Sequence, residues 1–184
     1  MKLTREKQET IDLNYQGVTI NIFSFPDNGI DCEKTVLKFI NSASFQVECT
    51  RDYIQKKPEE NREKYLKPPF NLEELSFSDF KNYTKKGLCD FFDGYVNGEW
   101  NTNDRKDFVI IWEELKAKIS EFSDDFSFYL ISLDWFDTEL NRKNPESADK
   151  RLREPEFWVY GYYFLFIGIS DAQKELAFIV MFYE

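Results

Sequence analysis

The order of apolar and polar residues divides the chain into three stretches of different character. At the start, ETIDLNY and VTINIFSF alternate: Ile11, Leu13 and Tyr15, then Val18, Ile20 and Ile22, occupy every second position with polar residues between them. Gln16-Gly17 separates the two runs, so the spacing predicts a β-hairpin that turns there. Pro26-Asp27-Asn28-Gly29 is a turn signal, after which Asp31 is placed to cap a helix over about 32–43, with Val36, Leu37 and Ile40 inward.

The middle is less regular. In TRDYIQKKPEENREKYLKPP, Pro58 followed by Glu59-Glu60 reads as a first helical turn that Pro68-Pro69 stops, and its mixed charge predicts an exposed arm. A short helix is expected around 78–86 with Phe80 and Tyr83 inward. DRKDFVIIWEELKAKISEF carries the clearest helical period. Asp104 is its expected N-cap, and Phe108, Trp112, Leu115, Ile119 and Phe122 fall on one side as a packing stripe.

The last third reads as strands: FSFYLISLDWF, FWVYGYYFLFIGI and LAFIVMFY are β-branched and aromatic, with apolar residues on both faces. One face is expected to pack on the helices and the other to meet something else. Ser170-Asp171-Ala172-Gln173-Lys174 reads as a hairpin loop, which makes the last two strands antiparallel. Residues 138–156 form a polar connection. The predicted fold is α+β, a single domain over 1–184 with an N-terminal β-hairpin, a helical middle and a C-terminal antiparallel sheet.

Composition sharpens this picture. Aromatic residues make up 18% of the 184 positions, so the core must be built largely from rings. The formal charge of −10 disfavours binding to nucleic acid or to anionic lipid; it attracts a basic partner or serves solubility alone. There is no histidine, which removes Ser-His-Asp and Cys-His nucleophiles and every histidine-containing metal site. The start MKLTREKQET has no apolar h-region of a secretory signal, and the longest apolar run is shorter than the roughly 20 residues that span a bilayer. Cys32, Cys49 and Cys89 are odd in number and far apart, which reads as reduced thiols of a cytoplasmic chain and not as a zinc site.

Two stretches concentrate acids beside rings. CDFFDGYVNGEW (89–100) is not a calcium loop: with Gly94 at the sixth position, Cys89, Phe91 and Trp100 fall where carboxylates belong. Its glycines make no phosphate-binding fingerprint. What remains is a helix end and turn anchored by rings, with Asp90 and Asp93 on one helical face and Glu99 past a turn. SLDWFDTE (132–139) follows a strand, and Asp134, Asp137 and Glu139 form either a solvated strand end or a carboxylate set for Mg²⁺ or acid–base work. Trp100 and Trp135 each adjoin carboxylates, the local pattern of an interface anchor that selects a basic partner.

A small, acidic, aromatic-rich α+β chain without catalytic apparatus resembles the immunity proteins of bacterial toxin–immunity systems, those of contact-dependent growth inhibition and other polymorphic toxins. The resemblance lies in size, charge and missing catalytic groups, and no diagnostic motif carries it. It implies a non-catalytic inhibitor, monomeric or weakly self-associating, that occludes the active site of a cognate toxin, often a basic nuclease. The candidate partner-binding residues are Asp90, Asp93, Glu99, Trp100, Asp134, Trp135 and Asp137, with no cofactor and no metal. The alternative is a hydrolase or transferase that uses the same carboxylates and a divalent metal.

Overall fold

β1 (Thr4–Leu13) and β2 (Gln16–Ser24) form the expected N-terminal hairpin, but its turn is Asn14-Tyr15, two residues before the expected one. Gly17 lies inside the ladder opposite Asp12, and Asn14 takes the left-handed conformation (φ 54°) that the turn needs. The computed structural model describes residues 3–26, 31–42, 69–98, 102–144, 146, 149–153 and 161–183. The arm around 50–68, most of the turn at 26–29, Cys49, Lys56-Lys57, Glu99 and Trp100 lie outside the described residues.

After the hairpin, Asp31 caps α1 (Cys32–Ile40), its carboxylate accepting from the Lys34 amide at 3.1 Å. Val36, Phe39 and Ile40 turn inward, whereas Leu37 is only half-buried. The helix expected around 78–86 is instead a strand, β3 (Lys81–Thr84). Four residues carry no readable period, and pairing with the neighbouring strand decides their conformation. Thr84 then caps α2 (Lys85–Val96) through its hydroxyl. α3 (Thr102–Glu121) starts two residues before Asp104, which therefore lies in the first turn and is not the cap. Phe108, Trp112, Leu115 and Ile119 are buried as the period requires, and Phe122 is half-buried just beyond the helix. β4 (Ser127–Ser132) follows. The polar connection after it contains a short helix, α4 (Thr138–Lys143). β5 (Tyr162–Ser170) and β6 (Glu175–Tyr183) form the predicted antiparallel hairpin.

The six strands make one antiparallel sheet in the order β1-β2-β6-β5-β4-β3, so the fold is α+β. Both faces are buried. On one, Val18, Ile179, Phe164, Phe166 and Phe128 meet Leu88 and Phe92 of α2 and the stripe of α3. Ring packing there is close enough to require a glycine: a Cβ on Gly168 of β5 would come within 2.7 Å of the Phe128 ring. On the other face, Tyr129, Tyr163, Leu165 and Phe178 meet α1 and the irregular segment carrying Phe70, Leu75 and Phe80. The "something else" expected on that face is therefore supplied by the chain itself.

That irregular cover is tied down by ions. The Arg151 guanidinium donates to Asp79 at 2.6 Å and to Asp149 at 2.6 Å, and it lies over the Phe136 ring. Beside it, the Asn71 amide donates to the Arg151 carbonyl and the Arg153 amide to that of Pro69.

Candidate functional site

The two acidic and aromatic stretches meet in space, but through rings and not through a shared pair of carboxylates. Phe91 and Tyr95 stand one turn apart on α2, on the side that faces the end of β4. There the chain leaves the sheet through a 3-10 turn, Leu133–Trp135, which begins with the Ser132 hydroxyl accepting from the Asp134 amide. Phe91 meets Trp135 edge to face at 6.4 Å, and the Tyr95 hydroxyl donates to the Asp134 carboxylate at 2.6 Å. Both helix rings also lean on Phe164 of β5. Across the sheet edge the Lys81 ammonium of β3 sits 3.8 Å from the centre of the Trp135 ring, a cation–π contact.

Each described candidate has a partner within the chain. Asp90 is exposed and pairs with Lys86 one turn back on its own helix. Asp93 points away from it, toward α3, where the Trp112 indole N–H donates at 2.7 Å and the Lys116 ammonium reaches both carboxylate oxygens. Asp90 and Asp93 therefore do not act as a pair. Asp134 bonds Tyr95, Trp135 is half-buried under Lys81, and Asp137 caps α4 by accepting from the Leu140 amide at 2.8 Å. Glu139 pairs with Arg142 and Lys143. Among the described residues no three Cys, Asp or Glu side chains gather as metal ligands.

The surroundings move the acidities in opposite directions. Lys116 and Trp112 hold the Asp93 carboxyl below the ordinary range. Asp134 is exposed as a residue, yet its carboxyl end lies against the ring cluster. That local burial pushes its pKa up, against the pull of the Tyr95 hydroxyl. The Tyr95 phenol is itself raised, first by burial and then by its bond to Asp134. Burial also raises the Cys89 thiol, which leaves it a poor nucleophile at neutral pH.

Sequence reasoning located the acids and Trp135 but missed the residues that hold them: Tyr95, Lys81, Lys116 and Trp112 as a donor. Tyr95 had a visible signal, because it stands four residues after Phe91 in the same stretch, the spacing of neighbours on one helix side. Lys81 and Lys116 come from elements distant in sequence and carry no such signal. Compared with family models, with curated proteins and with solved structures, the chain matches none.

Proposed function

We propose that the chain is a non-catalytic protein-binding inhibitor of the toxin–immunity kind, working in the cytoplasm as a monomer or weak homo-oligomer on a basic toxin domain. The observation that carries this reading is the meeting of 89–98 with 132–137. Phe91, Tyr95 and Trp135 form one half-buried ring platform held on two helical turns, with Asp90 and Asp137 exposed beside it and Asp134 bonded to Tyr95 at its rim. In a chain of net charge −10, such a platform favours encounter with a cationic surface and offers it a stiff aromatic contact. Inhibition follows by occlusion: the carboxylates take lysines and arginines that would otherwise hold the toxin's own anionic substrate.

The first test is retention of the partner from host lysate on the tagged protein, washed at low and high salt, followed by purification of the retained protein. One basic protein held one-to-one, with its activity blocked by the chain, supports the reading. Asp90→Lys/Asp134→Lys/Asp137→Lys should then slow association about tenfold or more at low salt and flatten its salt dependence. An unchanged rate and salt slope would remove the electrostatic mechanism, and an empty bead would count against the inhibitor itself.

A further inference from the structure

Among the described residues three cations lie over aromatic rings, and two of them are pinned by carboxylates. Lys116, 5.8 Å from the centre of the Trp112 ring, holds both oxygens of Asp93. Arg151, 4.9 Å from that of Phe136, holds Asp79 and Asp149. Lys81 differs from both. Its ammonium is the nearest of the three to its ring, at 3.8 Å from the centre of Trp135, yet it pairs with no carboxylate among the described residues. It is exposed, on the four-residue strand at the edge of the sheet. Strand geometry puts it over the ring. Lys81 and Tyr83 are two apart on β3 and share a face; Tyr83 packs on Phe91 at 5.5 Å, and Phe91 packs on Trp135. Trp135 is half-buried, and its indole N–H meets no acceptor among the described residues, whereas that of Trp112 bonds Asp93.

An ammonium without a carboxylate tie, resting on a half-exposed indole, shows what kind of group that ring face takes. At such a site the contact is worth about two- to fivefold in equilibrium, so a group that fits the ring better can displace it. A guanidinium is such a group: it is planar, stacks on an aromatic face and is more weakly hydrated than an ammonium. We propose that Lys81 is a removable cover of Trp135, and that an arginine of the basic partner takes its place on the ring while Lys81 swings out to solvent. This rests on reading the platform as the contact for a basic protein. It adds a preference for arginine over lysine and names the group that must move before the contact forms.

The test is an NMR titration of the full chain, at constant ionic strength, with acetyl-arginine-amide and with its lysine and glutamine counterparts. Two signals report on it. One is the Trp135 indole N–H, identified by its loss in Trp135→Phe. The other is the Lys81 ε-methylene, which the ring current displaces while the ammonium lies over the indole. The arginine compound should saturate both together, on the order of tens of millimolar, with the Lys81 signal moving to its free-chain position. The lysine compound should bind more weakly and the glutamine compound not at all. Lys81→Thr uncovers the ring and should tighten arginine binding about two- to fivefold; Lys81→Arg, a better cover of the same charge, should weaken it by about the same factor. Three results would overturn the proposal. No indole shift up to the solubility limit would mean that the ring takes no added cation. An indole shift with Lys81 unmoved would mean that nothing is displaced. Equal binding of the arginine and lysine compounds, or Lys81→Arg behaving as the unaltered chain, would mean that charge alone acts. No partner enters the titration, so it can fail while the lysate experiment yields a toxin, and an empty bead leaves its result standing.

Discussion

On the face covered by α2 and α3, rings meet rings: Phe92 lies 4.8 Å from Trp112 and 5.0 Å from Phe164, and the ion pairs Asp93–Lys116, Glu9–Lys118 and Lys85–Asp124 lie at the outer rim. On the opposite face a nine-residue helix and an irregular segment cover equally apolar strands, and a guanidinium with two carboxylates holds that segment in place. Two long helices bring their own backbone hydrogen bonds and need only a continuous stripe. An irregular cover has little regular pairing of its own, so its position depends on specific polar ties.

Removing one ring from the helical face should have the largest effect. Phe92→Ala leaves a cavity among Trp112, Phe164 and Phe166 and should cost about 3–5 kcal/mol in urea unfolding. A loss below about 1 kcal/mol would mean that α2 is not the cover it looks to be.

The clasp comes next. Arg151→Met leaves the Asp79 side chain, only 9% exposed, without its cation. Arg151 is itself 42% exposed, so solvent screens part of the loss, and about 1–3 kcal/mol is expected. Hydrogen exchange gives the sharper reading: the amides of Asn71 and Arg153 should lose protection while those of α2 and α3 keep theirs. Uniform loss over both faces would make the two covers one cooperative unit.

Two carboxylates on the helical side should respond to pH with opposite sign. Asp93 has a lowered pKa, so its contribution is present above the unfolded carboxylate value of about 3.9 and is lost as pH falls through the folded value. Asp134 has a raised pKa, so its contribution is present below that unfolded value and is lost as pH rises through the folded one. Asp93→Asn should therefore lower the urea midpoint at pH 7, and Asp134→Asn should raise it; both effects should fade in acid. The smallest effect belongs to Lys86→Met. Its pair with Asp90 is exposed on both sides, and unfolding should shift by no more than about 0.5 kcal/mol.

The sequence was most informative where a period ran long enough to be counted. The α3 stripe, the β5–β6 hairpin and the Asp31 cap could all be read, because helix spacing, strand alternation and capping are local rules. β3 and α4 were missed for one reason, since four or six residues carry too little period and their pairing or capping partner decides. The hairpin turn was misplaced because Gly17 is the commoner turn residue, although Asn14 can adopt the same left-handed backbone. At the ring platform, Asp134 and Trp135 were visible as types, but their neighbours Tyr95 and Lys81 depend on how α2 and β3 pack. Tyr15 continues the alternation of β1 in the sequence, but the Asn14-Tyr15 turn makes it the exposed tip of the hairpin.

The strand order also has a consequence in time. β2 finds its inner neighbour in β6, with Gln16 opposite Tyr183 and Ser24 opposite Glu175. A ribosome adding about 5–20 residues per second delivers the hairpin on the order of ten seconds before the strand that completes its pairing. Throughout that interval Val18 and Ile20 have no β6 beside them. The alternating charges of TREKQE on β1, together with the irregular register between Arg5 and Lys7, guard the outer edge of the hairpin against other nascent chains, whereas the β2 edge that awaits β6 stays open until that strand arrives.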